Sequence, residues 1–121
     1  MTPGAGSVQR RLSDAIVGGR RAADAVRSVL AGAGLSLEGW LVLVALARQN
    51  GLIMSEIAER TRSSNATLTR HVDTLVQQAL VYREVVHDDR RQIAVYASRR
   101  GLALVSRLES ELRAEEGPGQ S

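Results

Sequence analysis

One short stretch of the sequence, residues 64–70, combines small hydrogen-bonding side chains with an arginine. Asparagine can form two hydrogen bonds to adenine, arginine can bond guanine or a phosphate, and threonine can contact any base pair. Bulky side chains at the start of a helix would hold it away from the base edges, and the polar positions before Arg70 have none. The candidate residues for contact with nucleic acid are therefore Ser64, Asn65, Ala66, Thr67, Thr69 and Arg70.

A second polar group, at residues 87–91, contains two adjacent arginines after two aspartates. An arginine on a narrow ribbon can enter the minor groove, where the negative potential of DNA is concentrated. The aspartates oppose binding to an anion, but one carboxylate can hold a neighbouring guanidinium extended through a charge-assisted hydrogen bond. The candidates in this group are Asp89, Arg90 and Arg91.

The elements that must position these groups can be predicted from the spacing of apolar residues. Ser64 is a typical N-cap for a helix over 64–79, whose apolar stripe is Leu68, Val72, Leu75, Val76 and Ala79. A shorter helix, capped by Ser55, precedes it, and two strands over 81–86 and 92–97 follow it. Two helices with a tight break and then a hairpin predict a winged helix-turn-helix.

The flanking segments predict further helices and a brief strand at Leu52-Ile53. A first helix contains Gly18-Gly19 at its centre, Ser36 caps a second helix that is apolar nearly all round, and Ser98 caps the last. The last helix carries an apolar seam at Leu102, Val105, Leu108 and Leu112. This seam favours a dimer, because so short a monomer has little left to cover it, although packing within the monomer is the alternative.

The predicted fold class is mainly α with a small β-hairpin wing, in which the first and last helices form a dimerisation region. The predicted segments are a disordered N-terminus (1–6), an N-terminal dimerisation helix (7–34), a winged helix-turn-helix region (35–97), a C-terminal dimerisation helix (98–116) and a disordered tail (117–121).

Composition excludes several classes of protein. The 121 residues include no cysteine, which excludes disulfides, zinc-thiolate sites and iron–sulfur clusters within the chain. The longest apolar run, residues 40–47, is far shorter than the roughly 20 residues of a membrane span. With neither a signal peptide nor a catalytic grouping evident, we expect a cytoplasmic protein that is not an enzyme, with no metal, no cofactor and no membrane partner. The net charge of +3 is too small to establish nucleic-acid binding by itself.

Several stretches in order resemble the multiple-antibiotic-resistance regulator (MarR) family. They are residues 35–43, 55–60 and 64–70, then the D-x-R stretch at 89–95 followed by Ser98 and Gly101. The resemblance implies a homodimeric winged helix-turn-helix transcription factor that binds pseudo-palindromic double-stranded DNA, usually as a repressor. It also implies release from DNA by a small aromatic or phenolic effector, as in many members of the family.

The resemblance also implies roles for individual residues. In the family one wing arginine enters the minor groove and the wing aspartate orients it, which by position corresponds to Arg91 with Asp89, and Arg90 is a close competitor. Trp40 is expected in the core, and a place in the wall of an effector pocket is its alternative.

The sequence departs from the family pattern at four places. Between the two helices, Thr61-Arg62-Ser63 stands where the family has an apolar residue and a glycine. After the second helix, Ala79 replaces a glycine, and Glu84 stands where a basic residue is common. The chain stops near Glu116, where the family usually extends into a further helix. Together with the weak basicity, Glu84 and the aspartates at 88–89 favour an alternative function, a winged-helix module that binds protein instead of DNA.

Overall fold

The structure of the chain, a computed structural model, describes the backbone of residues 3–86 and 92–115 and the side chains of 9–86 and 92–114. The elements in chain order are α1 (Pro3–Gly32), α2 (Leu37–Arg48), β1 (Leu52–Ile53), α3 (Met54–Thr61), α4 (Asn65–Gln77), β2 (Val81–Val85), β3 (Ile93–Ala97) and α5 (Arg99–Glu115). This is the predicted class, mainly helical with a small antiparallel sheet. No single helix in these ranges is both long and apolar enough to cross a bilayer.

The sheet has three strands in the order β1-β3-β2, with both neighbouring pairs antiparallel. Leu52 of β1 lies opposite Val95 of β3, which confirms the brief strand predicted from two residues. Tyr82 and Tyr96 lie opposite each other on β2 and β3, and their rings stack with centroids 5.3 Å apart. Stacked rings on a cross-strand pair stabilise the register of a hairpin.

Helix α2 lies at the centre of the core, as its continuous apolar sequence predicted. Val42, Leu43 and Leu46 are each at most 1% exposed. Two residues of the predicted α5 seam, Val105 and Leu108, are also buried in this core. The seam is therefore in part an intramolecular packing surface. An apolar stripe with this spacing suits burial against α2 as well as it suits burial against a second chain.

Helix α1 differs from the predicted segment at both ends. It begins at Pro3, so that residues 3–6, predicted to be disordered, are helical. Proline suits a first helical turn, because the backbone N–H that it lacks has no partner there in any case. The helix continues through Gly18-Gly19 and ends at Gly32, after which Gly34 adopts a φ of 74° and Leu35 N–H donates to Leu30 O. These bonds form a Schellman C-cap, which turns the chain into α2.

Residues 9–22 of α1 lie outside the core. Every residue from 9 to 22 is exposed, including Leu12, Ile16 and Val17, whereas Leu30 near the other end is fully buried. Burial of one face supplies most of the stability of a helix in a protein. No described residue covers the apolar side chains of this part of α1.

Candidate nucleic-acid interface

The turn between α3 and α4 forms without the glycine typical of such a break. Arg62 occupies the left-handed region with a φ of 53°, and Ser63 N–H donates to Ala58 O at 3.1 Å. Thr61 Oγ1 donates to Ile57 O at 2.8 Å and so covers another carbonyl at the end of α3. A left-handed backbone is unfavourable for residues other than glycine, so these bonds hold the turn at some cost in stability.

Helix α3 begins two residues earlier than its sequence suggests. Ser55 was predicted as its N-cap, but the first helical residue is Met54 and Ser55 lies inside the helix. The carboxylate of Glu56 accepts a hydrogen bond from Ile53 N–H at 3.1 Å. A glutamate at the third helical position thus caps the end from within, which makes a serine cap unnecessary.

Ser64 caps helix α4 as predicted. Its Oγ accepts from Thr67 N–H at 3.3 Å and donates to Thr67 Oγ1 at 2.9 Å. The cap fixes the direction in which the first turn of α4 leaves the protein. Because the Ser64 hydroxyl donates its proton to Thr67 Oγ1, the proton of the Thr67 hydroxyl is available for a hydrogen bond to a partner outside the protein.

Helix α4 has one buried face and one exposed face. Leu68, Val72 and Leu75 are at most 1% exposed and anchor the helix in the core. Every candidate contact residue on and next to this helix is exposed: Ser64, Asn65, Ala66, Thr67, Thr69 and Arg70. The structure therefore brings these six predicted residues together on one accessible surface.

The side chains on this surface offer both hydrogen-bond donors and acceptors. Thr69 Oγ1 donates its proton to Asn65 O at 2.9 Å, so that toward a ligand it can only accept. Arg70 can only donate, and the amide of Asn65 can do both. A row that contains an acceptor, a donor and a bidentate amide matches the mixed pattern of base edges in a major groove.

The charge distribution along α4 also favours an anionic partner at its start. The first turn of α4 contains no acidic residue, and the aligned peptide dipoles give this end a partial positive charge. The first carboxylate on the helix, Asp73, forms an ion pair with Arg83 of β2. That pair also connects the middle of α4 to the hairpin.

The C-terminal end of α4 is held by its own cap and by bonds to two other elements. Ala79 has a φ of 60°, and Leu80 N–H donates to Leu75 O, which makes a Schellman cap with alanine in the position preferred by glycine. Gln78 Nε2 donates to Gly34 O at 2.8 Å, and Ser98 Oγ donates to Ala79 O at 2.7 Å. The end of α4 is thereby bonded to the end of α1 and to the start of α5.

Gly101 in the first turn of α5 makes the closest approach at this junction. A Cβ atom at Gly101 would lie 2.1 Å from the carbonyl oxygen of Leu80, which real Cβ atoms do not tolerate. Ser98 Oγ accepts from Gly101 N–H at 3.0 Å and caps α5 as predicted. The glycine is therefore required by packing between α5 and the segment that follows α4.

The hairpin places its strands beside α4, but the arginines predicted at its tip lie outside the described residues. Asp89, Arg90 and Arg91 accordingly stay predictions from the sequence. Glu84 on β2 is exposed, which puts a negative charge on the strand next to Arg83.

Trp40 lies in the core, whereas Arg62 is exposed beside the candidate surface. Trp40 is 9% exposed and belongs to the core cluster, in agreement with the first of its two predicted roles. Arg62 was read from the sequence only as part of a break between helices. The structure exposes it in the turn immediately before Ser64, beside the candidate surface. The sequence could have indicated Arg62 as a candidate contact residue, because it stands two residues before the N-cap Ser64.

A helix-turn-helix whose second helix presents a polar, acid-free first turn, followed by an antiparallel hairpin, defines the winged helix-turn-helix class. The model of the MarR family matches residues 33–92, which include both helices and the first strand of the hairpin. A crystal structure of a MarR-family transcriptional regulator from Silicibacter pomeroyi is 31% identical in sequence, with a TM-score of 0.71. That similarity covers 87% of this chain and 69% of the other. The chain belongs to the MarR family of transcriptional regulators.

Two more distant structures share the fold. Reduced AbfR bound to DNA is 23% identical, with a TM-score of 0.72 over 94% of this chain and 80% of its own. NadR in complex with 4-hydroxyphenylacetate is 19% identical, with a TM-score of 0.73 over 96% of this chain and 77% of its own. Among curated proteins, no sequence matches this one.

Proposed function

We propose that the chain is a cytoplasmic, homodimeric repressor that binds a pseudo-palindromic operator and is released by a small-molecule effector. The exposed, acid-free start of α4 carries the proposal, because its polar side chains extend away from a core that holds the opposite face. A helix of this kind fits a major groove about 12 Å wide. AbfR, which shares the fold, is known bound to DNA, which supports the same partner for this chain.

Each contact residue has a proposed role in this complex. Asn65, Thr67, Thr69 and Arg70 read base edges, while Ser64 and Ala66 let the helix approach closely. In the proposed wing at 87–91, Arg91 or Arg90 enters the minor groove and Asp89 orients it. Arg62 contacts a phosphate beside the start of α4, since guanidinium is well suited to phosphate oxygens.

The proposed dimer uses the first helix, at 7–34, and the last, at 98–116. Leu12, Ile16 and Val17 on α1 are 46–58% exposed, and Leu102 on α5 is 40% exposed. A second copy of the chain would cover these residues and place two α4 helices about 34 Å apart, one turn of DNA.

Ile16→Asp is expected to convert the dimer to a monomer in sedimentation equilibrium. Leu41→Asp, which alters an exposed leucine on α2, serves as the matched control.

Selection of binding sites from random DNA with the purified protein tests the proposed function. We expect an enriched palindrome with half-sites one helical turn apart, bound with an affinity that falls as salt rises. Arg91→Ala is expected to weaken binding to all sequences and to lower the salt slope by about one. Failure to bind any DNA at low salt would contradict the proposal.

The alternative function is a winged-helix module that binds protein. The exposed Glu84 and the ion pair of Arg83 with Asp73 favour it, because they leave β2 without net positive charge at these positions. The same DNA experiment separates the two functions, since only a DNA-binding protein enriches a palindrome.

The effector is proposed on the family pattern. NadR, which has the same fold, is known in complex with 4-hydroxyphenylacetate, so a small aromatic acid is the first compound to test for release of DNA from this chain.

A further inference from the structure

A cavity of about 430 Å³ lies where the C-terminal ends of α1 and α4 meet the first turns of α5. This volume is within the range of sites for small organic ligands. Its wall includes Gln78, Leu80, Arg100, Ala103, Leu104 and Arg107. Trp40, for which an effector pocket was the alternative to a place in the core, is not among the described residues of this wall.

One face of α5 supplies the charged part of the wall. Arg100, Leu104 and Arg107 are spaced by four and three residues, which places them on one side of the helix. None of the described residues that line the wall is acidic, so the two guanidinium groups set its charge. Arg107 lies 3.7 Å from Glu111, an exposed pair that an incoming carboxylate can replace. Guanidinium groups match a carboxylate in both geometry and charge.

The rest of the wall is aliphatic apart from Gln78. Leu80 and Leu104 provide branched apolar surface, and no described residue of the wall carries an aromatic ring. A ligand here would therefore gain affinity from burial of an apolar chain rather than from stacking on a protein ring.

Gln78 connects the cavity to helix α4. Its Nε2 donates to Gly34 O, but its Oε1 is buried and accepts no hydrogen bond from any described residue. A buried acceptor without a partner is unfavourable, so Gln78 has capacity for one more donor. Gln78 and Leu80 also flank Ala79, the left-handed residue that ends α4. An occupant of the cavity would thus contact the segment that holds the C-terminal end of α4.

We propose that this cavity binds a small aliphatic carboxylate and that its occupancy changes the affinity of the protein for DNA. The carboxylate lies between Arg100 and Arg107, and the aliphatic chain packs on Leu80 and Leu104. The regulatory part rests on the proposed function, because it requires α4 to bind DNA. The binding part stands independently of that function.

Isothermal titration calorimetry of the full chain tests binding with hexanoate, octanoate and 1-hexanol as probes. Hexanoate is expected to bind saturably and octanoate about tenfold more tightly, because two more methylene groups are buried. The neutral 1-hexanol is expected to bind at least about tenfold more weakly than hexanoate, since it lacks the charge. Equal affinity for hexanoate and 1-hexanol, or no binding of either, would overturn the site.

Variants of α5 locate the binding. The double variant Arg100→Gln/Arg107→Gln is expected to lose about tenfold or more in octanoate affinity. Its matched control, Arg99→Gln/Arg113→Gln, makes the same change of charge at exposed positions of α5 that are not among the wall residues, and should bind octanoate as the wild type does. Equal losses in the two double variants would show only a general effect of charge.

A cavity-filling variant separates a ligand site from a contact between subunits. Ala103→Leu narrows the cavity without a change of charge and is expected to weaken octanoate binding while the mass in sedimentation equilibrium stays that of the wild type. A change of mass would assign the cavity to a subunit interface and overturn the proposal.

Titration of a DNA site with and without saturating octanoate tests the regulatory part. We expect the half-saturation point to shift by about fivefold or more, the range of ordinary coupling between two sites. An unchanged DNA affinity in protein that binds octanoate would overturn the regulatory part. Absence of DNA binding without any ligand would instead overturn the proposed function and leave the calorimetric result standing.

Discussion

The two ends of helix α4 are held in opposite ways. At its start, Ser64 caps the helix, and the hydrogen bonds of Thr67 and Thr69 are to Ser64 and to the helix backbone. At its end, Gln78 bonds to the end of α1, and Ala79 bonds to the start of α5. One end is thus presented to a partner, and the other is fixed to the body of the protein.

This difference indicates where substitutions should affect binding and where they should affect folding. Side chains at the start of α4 are exposed and contribute little to folding, so their removal should lower the affinity for DNA and leave the free energy of unfolding unchanged. Contacts at the end of α4 position the whole helix, so their removal should cost stability first. The following predictions test this division.

Gly101→Ala should have the largest effect, at the fixed end. The added Cβ would meet the Leu80 carbonyl at 2.1 Å, and neither backbone can move without a shift of α5. We expect a loss of about 3 kcal/mol in the free energy of unfolding, measured by urea denaturation. Gly32→Ala, where nothing lies within 4 Å of the new Cβ, is the control and should not destabilise. Similar results for the two variants would show that the junction is not closely packed.

Asn65→Ala should have the next largest effect, at the presented end. Loss of a bidentate contact with a base is expected to cost about 2 kcal/mol in affinity for the preferred site and to relax selection at one position of each half-site. The free energy of unfolding should stay the same. Gln77→Ala, an exposed position at the other end of the same helix, should bind DNA normally. An unchanged selection profile would remove Asn65 from the set of base-reading residues.

Ala79→Gly should stabilise the fixed end. Ala79 has a φ of 60°, a conformation that glycine adopts without strain, so we expect a gain of about 1 kcal/mol in thermal or urea unfolding. Gly34→Ala makes the reverse change at the corresponding cap of α1, where φ is 74°, and should lose about the same amount. A loss of stability in Ala79→Gly would show that the alanine side chain contributes more than its backbone strain costs.

Asp73→Asn should have the smallest effect, between the two ends. Its ion pair with Arg83 is partly exposed, so we expect a loss below about 1 kcal/mol in unfolding free energy that disappears at high salt. Asp24→Asn removes the more exposed pair with Arg27 on α1 and should have less effect still. A loss that persists at high salt would mean that the bond positions the hairpin by geometry and not by charge alone.

Local chemistry in the sequence was sufficient to predict most of the elements. Serine caps at Ser36, Ser64 and Ser98 were predicted from residue type, because a cap depends on residues within one turn. The apolar period of α4 predicted its buried face, and the opposite face then followed as the exposed one. The family resemblance, which rested on the order of these elements, was confirmed by the family model and by the structure from Silicibacter pomeroyi.

The sequence alone determined the helix-turn-helix, the hairpin strands and the polar start of α4. Other features depended on contacts between residues distant in sequence. Only the tertiary structure decided that Val105 and Leu108 pack in the core of the chain, and that Gly101 lies against Leu80. The physical reason is that periodicity shows which face of a helix is apolar, whereas the surface that covers this face is brought there by other parts of the chain.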